Sequence, residues 1–247
     1  MRSSPDSAAT TATAHRSAAS AATPPSWLTI VRAIVALAIA AAVLGQVLTS
    51  LAFWTARGDA SIPLDLLNFF SFFSIESNLL AMVSLAALVV IAVQRRPVTR
   101  GWHVLALCAT TYMVTTGIVY NILLRGIELP QGATLAWSNE ILHLVAPVWM
   151  LADWLLASRE RDVRWGDAAI VAIYPVAWLA YTLVRGPVTP DQATGDGSWY
   201  PYPFLDPADG GYGPVIVTCA VIATTIVLLS LALIARARSA ARTVAGG

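Results

Sequence analysis

Six stretches of the chain stay apolar for about the 20 residues that a helix needs to cross a bilayer. They run over about 28–53, 69–93, 103–124, 138–157, 168–185 and 213–235, with short polar segments between them. The fifth is the shortest and contains Pro175. The pattern predicts an all-α fold, a polytopic membrane bundle of six transmembrane helices over 26–238. Residues 1–25 are rich in Ala, Ser, Thr and Pro and lack large apolar side chains, so they read as a disordered tail and not as a signal peptide. Residues 239–247 read as a short C-terminal tail. Trp27, Trp54, Trp102, Trp137, Trp165 and Trp199 fall near run ends, as an aromatic belt at membrane interfaces requires. Pro214 follows Gly213 and suits the first turn of the last helix.

Composition agrees with this class. Of the 247 residues, 57% are hydrophobic and 12% charged, against about a quarter charged in a soluble domain. All fifteen basic residues are arginine, and the net charge of +1 gives no support for nucleic-acid binding. The side that would hold both termini carries Arg2, Arg16, Arg32, Arg95, Arg96, Arg100, Arg159, Arg161, Arg164, Arg236, Arg238 and Arg242. The other side has Arg57, Arg125 and Arg185. Twelve against three predicts cytoplasmic termini and a multi-pass protein of the cell (plasma) membrane. Cys108 and Cys219 both lie inside apolar runs and read as small core residues.

With that topology each polar residue acquires a depth. Ser71, Ser74, Glu76, Ser77 and Asn78 fall in the outer half of the second run. Tyr120, Asn121 and Arg125 end the third, and Asn139, Glu140 and His143 open the fourth. The loop "SWYPYPFLDPADGGYG" adds Tyr202 and Asp206 above them. The inner half looks poorer, with Asp153 and His103. Ionisable groups inside a span usually face the bundle interior or a wet cavity, so a polar pocket opening outward is expected. Asn139 and His143 are four apart and share a helix face, as do Ser71, Ser74 and Asn78 at spacings of three and four. If the two stripes meet, a hydroxyl, an imidazole and amide or carboxylate groups suit nucleophilic catalysis, with Ser71, Ser74 and Ser77 all open as the nucleophile.

Three segments carry a resemblance to a known family. "SNEILHLVAP", "WYPYPFLD" and, more loosely, "FFSIESNLL" resemble motifs of the androgen-inducible and androgen-dependent TFPI-regulating membrane proteins, over about 60–235. That family is linked to intramembrane threonine hydrolases that cleave fatty acid esters of hydroxy fatty acids. The resemblance implies a lipid ester as substrate, His143 in the place of the family histidine and Ser74 in the place of its threonine. Ser in place of Thr departs from the family by residue type, yet keeps a hydroxyl. Membrane lipids are the expected partners, and Asn78, Asn121 or Asn139 would steady the oxyanion.

Structural readings stand beside these. His143 would tie the fourth run to the third through Asn121. Ser74 would be a small residue at a helix contact. Glu140 would favour the positive helix end after Ser138 as N-cap. Glu76 would be protonated or paired with Arg125 or Arg185. Asp153 would meet Arg159 or water. The "WYPYPFLD" loop reads as an interfacial anchor and also as a lid. A non-enzymatic alternative is a small-solute or proton-coupled carrier, or a binding partner, in which Glu76 and His143 exchange protons. No cofactor or metal is expected: there is no zinc spacing and no Gly-rich phosphate loop, and the depth mismatch between His103 and His143 argues against haem.

Overall fold

The structure, a computed structural model, describes residues 26–127, 132–195, 197–208 and 210–245. The tail expected over 1–25 lies outside them. Eight α-helices follow in order: α1 (Ser26–Arg57), α2 (Ile62–Phe70), α3 (Phe73–Val93), α4 (Arg100–Val119), α5 (Ala136–Glu140), α6 (Ala146–Leu156), α7 (Asp167–Arg185) and α8 (Tyr212–Ala245). A π-helical turn, Tyr120–Leu124, extends α4, and a second, Ile141–Val145, joins α5 to α6. The described residues contain no strand.

Among the described residues five helices are long and apolar enough to cross a membrane: α1, α3, α4 with its π turn, α7 with the turn after it, and α8. These are compatible with an integral membrane protein. The run expected at 138–157 also folds as one helical stretch, from Ala136 to Leu156, but Asn139, Glu140, His143 and Asp153 dilute its apolar character. α8 continues to Ala245, past the end expected at 238. The hub is α4: 67% of its apolar window is buried, against 39% for α1 and α3 and 17% for α7 and α8. α3, α6, α7 and α8 surround it, and α1 lies against α3 and α6.

The second run is not one helix over 69–93. The chain breaks at Ser71 and Phe72, where Phe72 is extended (φ −69°, ψ 124°) and caps α3. Ser71 therefore belongs to the end of α2, and the expected stripe of Ser71, Ser74 and Asn78 is reduced to Ser74 and Asn78. Phe72 turns its ring into Trp199 and Tyr202, at centroid distances of 5.8 and 5.5 Å. Burial of these aromatic rings outweighs the cost of interrupting the helix.

The two prolines inside helical runs are repaired by side chains of the neighbouring α3 and of α4 with its π turn. A proline has no N–H to give the preceding turn. Pro147 can supply neither the α-type partner of the His143 carbonyl nor the π-type partner of the Leu142 carbonyl. Asn121 Nδ2 donates to the His143 oxygen at 3.0 Å, and Asn78 Nδ2 from α3 donates to the Leu142 oxygen at 3.2 Å. Pro175 leaves the Val171 carbonyl in α7 free, and the Tyr112 hydroxyl donates to it at 2.7 Å. Gly117 makes the α4–α6 approach possible: a Cβ there would lie 2.9 Å from Pro147 Cβ.

The end of the bundle expected to be poorer in polar groups holds a buried charge network. Asp153 accepts from Arg32 Nε at 2.6 Å and from Arg161 at 2.7 Å, with all three residues almost fully enclosed. Arg32 thus meets an acid in the core instead of reaching out to solvent, and Asp153 meets neither Arg159 nor water. Arg161 also lies over the Trp154 ring, 5.0 Å from its centre. His103 Nδ1 accepts the Asp162 N–H at 2.7 Å, which pins the following loop. The aromatic belt is corrected too: Trp27, Trp137 and Trp165 are about half exposed, but Trp54 and Trp199 are core residues at 2% and 5% exposure.

Candidate functional site

The site lies at the other end, where the two π turns face each other. Such turns widen the helix locally and are frequent at functional sites. Tyr120 sits in one and His143 in the other, and their rings stack at 4.0 Å with 22° between planes. Asn139 Nδ2 donates to the Tyr120 hydroxyl at 2.6 Å. His143 Nδ1 lies 3.1 Å from the Asn139 carbonyl oxygen. A carbonyl only accepts, so Nδ1 carries the hydrogen and Nε2 keeps its lone pair.

Ser74 stands in the first turn of α3. The Tyr202 hydroxyl accepts its N–H at 3.1 Å and reaches its Oγ at 3.4 Å. Tyr202 is held by Phe72 and by a stacked Phe204, 5.2 Å between centroids. Ser74, Tyr120 and His143 line two cavities in common, of about 130 and 50 Å³. The sequence-predicted meeting of α3 and the fourth run therefore occurs in space. Among the described residues no hydrogen bond links Ser74 to His143; the two share a chamber.

The remaining predicted residues have other employment. Asn78 gives its N–H groups to the Ser74 and Leu142 carbonyls, and Asn121 gives its own to Gly117 and His143. Both amides are fully committed as donors, so neither is free to steady an oxyanion. Asn121 ties to the main chain of His143 and not to its ring. Arg125 pairs with Glu140 through two bonds of 2.7 and 3.1 Å and with Asn121 Oδ1 at 2.9 Å. The ion pair is more than 40% exposed on both sides and contributes little to stability. Glu140 does not follow an N-cap serine: the helix begins at Ala136, and Ser138 donates to the Ala42 carbonyl at 2.7 Å.

Glu76 pairs with neither predicted arginine. It accepts from the Tyr174 hydroxyl, and Arg185 instead donates to Asn68 and lies over Trp199. Asp206 accepts the Ala208 N–H in a local turn. Ser71 donates to the Leu67 carbonyl and meets the Tyr181 hydroxyl, while the Ser77 hydroxyl is buried with no hydrogen-bond partner among the described residues. Neither serine lines either cavity. The aromatic loop is no surface anchor: Trp199, Tyr200 and Tyr202 are 5–6% exposed, and Tyr202, Phe204 and Leu205 wall the larger cavity.

Sequence placed Tyr120 among the polar residues that end the third run but gave it no role, because its stacking on His143 depends on how the two π turns meet. Its hydroxyl accepts from Asn139 and keeps its own proton to donate. Among the described residues no three His, Cys, Asp or Glu side chains come together to hold a metal. The fold and site define an all-α chain with apolar helices of membrane-crossing length and a cavity carrying serine, histidine and two tyrosine hydroxyls. Comparison with known proteins finds no matching family model, no matching curated protein and no matching solved structure.

Proposed function

We propose that this is an integral membrane protein whose cavity hydrolyses lipid esters with Ser74 as nucleophile and His143 as general base. The observation that carries the reading is that these two side chains, from separate helices, line the same two cavities. The resemblance of "FFSIESNLL", "SNEILHLVAP" and "WYPYPFLD" to the androgen-inducible hydrolase family supports the same pair. His143 Nε2 takes the Ser74 proton as Oγ attacks the ester carbonyl, then returns it to the leaving alcohol. The hydroxyls of Tyr202 and Tyr120 take the oxyanion role first expected of the asparagines. Catalytic hydrogen bonds that are long without substrate commonly tighten around it.

The carrier reading needs a proton route between Glu76 and His143. Glu76 is engaged by Tyr174 and lines neither cavity, which favours the hydrolase.

The stretch from Ala136 to Leu156 acts as a sixth span: its 21 residues reach about 31 Å, close to the thickness of a bilayer core. Both termini lie in the cytoplasm, which the arginine asymmetry supports, and the protein sits in the plasma membrane. With Cys108 and Cys219 replaced by Ala, a cysteine introduced at Gly197 reacts with an impermeant thiol reagent outside intact cells, and one at Arg159 does not. The reverse pattern would overturn the orientation.

A fluorophosphonate probe tests the chemistry. The protein is labelled, and Ser74→Ala and His143→Ala each abolish labelling. Labelling that survives both substitutions, or absence of both labelling and ester turnover in the native chain, rejects the hydrolase.

A further inference from the structure

The two cavities that meet at Ser74, Tyr120 and His143 differ in character, and the difference specifies a substrate if the hydrolase reading holds. The larger lies between α4, α7 and α8 and is walled by side chains such as Val119, Leu179 and Ile222. Along α4 and its π turn the lining extends from Thr115 to Leu124, ten residues or about 13 Å. Val176 on α7 and Ala223 on α8 line this cavity and are also exposed on the outside of the bundle. The cavity therefore opens sideways between α7 and α8, beside the exposed Ile173 and Val227, one helical turn from Val176 and Ala223. The smaller cavity turns the other way, toward α1 and the loop before α5, and its lining includes the polar side chains of Thr134 and Asn139.

We propose that the substrate is a single-chain acyl ester drawn laterally from the bilayer: its acyl chain enters between α7 and α8 and fills the large cavity, and a compact polar alcohol part occupies the small one. The ester carbonyl then lies between them, against Ser74. The Ser74 Oγ–acyl bond forms and the ester C–O bond breaks. The Ser74 proton passes through His143 Nε2 to the departing alcohol oxygen. Water adds to the acyl carbon as the Ser74 Oγ–acyl bond breaks, the water's proton goes through His143 back to Ser74 Oγ, and the products are a free fatty acid and the alcohol. The alcohol leaves past Thr134 and the fatty acid returns between α7 and α8.

The test uses the full chain in phosphatidylcholine vesicles with three substrates: a long-chain monoacyl ester of glycerol, the same acyl group esterified to a long-chain alcohol, and the water-soluble butyryl ester of glycerol. The long-chain glycerol ester turns over about tenfold faster than the ester of the long alcohol, because the small cavity excludes a second chain. Val176→Trp and Ala223→Trp narrow the side opening, and each lowers the ratio of long-chain to butyryl turnover about tenfold. Equal turnover of the two long-chain esters, or a ratio unchanged in both variants, overturns the substrate assignment and leaves the catalytic pair standing. Absence of turnover on all three esters together with absence of fluorophosphonate labelling removes the catalytic pair, and the substrate with it.

Discussion

Asn121 donates a side-chain N–H to the main-chain carbonyl of His143 at 3.0 Å. That carbonyl is free because Pro147, one turn later, has no N–H. One proline thus fixes a polar residue on the neighbouring helix, and the bond holds the imidazole-bearing turn against α4. Asn121→Ala leaves the carbonyl without a partner and lowers stability by about 1 kcal/mol, as interhelical hydrogen bonds in membranes do. Pro147→Ala returns a backbone N–H, so adding Asn121→Ala to it costs less than Asn121→Ala alone. Thermal unfolding of the four proteins in detergent checks this coupling, and strictly additive losses refute it.

The Asp153 carboxylate separates two buried guanidiniums. Asp153→Asn leaves Arg32 and Arg161 facing each other without an acid and costs about 3–5 kcal/mol, measured by thermal unfolding. Replacing all three residues by apolar ones of similar size, Arg32→Met, Asp153→Leu and Arg161→Met, recovers most of that stability. A neutral Asp153→Asn variant would show that the network does not hold this end of the bundle.

Tyr202 gives a pH signature. Burial pushes its hydroxyl from an ordinary 10.0 up to about 12. An acid raised on folding binds its proton longer in the folded state, so the unfolded chain ionises first and stability falls as pH rises from 10.0 toward about 12. A tyrosinate absorbance titration of the native chain minus that of Tyr202→Phe shows a step near the upper value. A step near 10.0 would place the hydroxyl in solvent and not against Ser74.

Much of this was legible from hydrophobic runs alone. They located every long helix, because an apolar run of that length has few other ways to satisfy its backbone. They also brought Ser74 and His143 to one depth. Partners were less legible. Asn78 and Asn121 read as catalytic amides because nothing in a linear pattern shows that Pro147 leaves carbonyls to be filled. Arg32 was counted with the arginines of the terminal side because its acid lies 121 positions away. The break at Ser71 was hidden because Phe69, Phe70, Phe72 and Phe73 continue the apolar run while the backbone turns between them. Tyr202 was recognisable as a site residue from its loop, but its hydroxyl contact with Ser74 depends on the fold of that loop.

Peptide mapping of the fluorophosphonate adduct tests the convergence of α3 and the fourth helical run most directly. The site geometry predicts the adduct on Ser74 Oγ, and its loss in His143→Ala with the fold intact by thermal unfolding. An adduct on Ser71, Ser77 or any other residue, or an adduct on Ser74 undiminished in His143→Ala, would contradict a shared serine–histidine chamber.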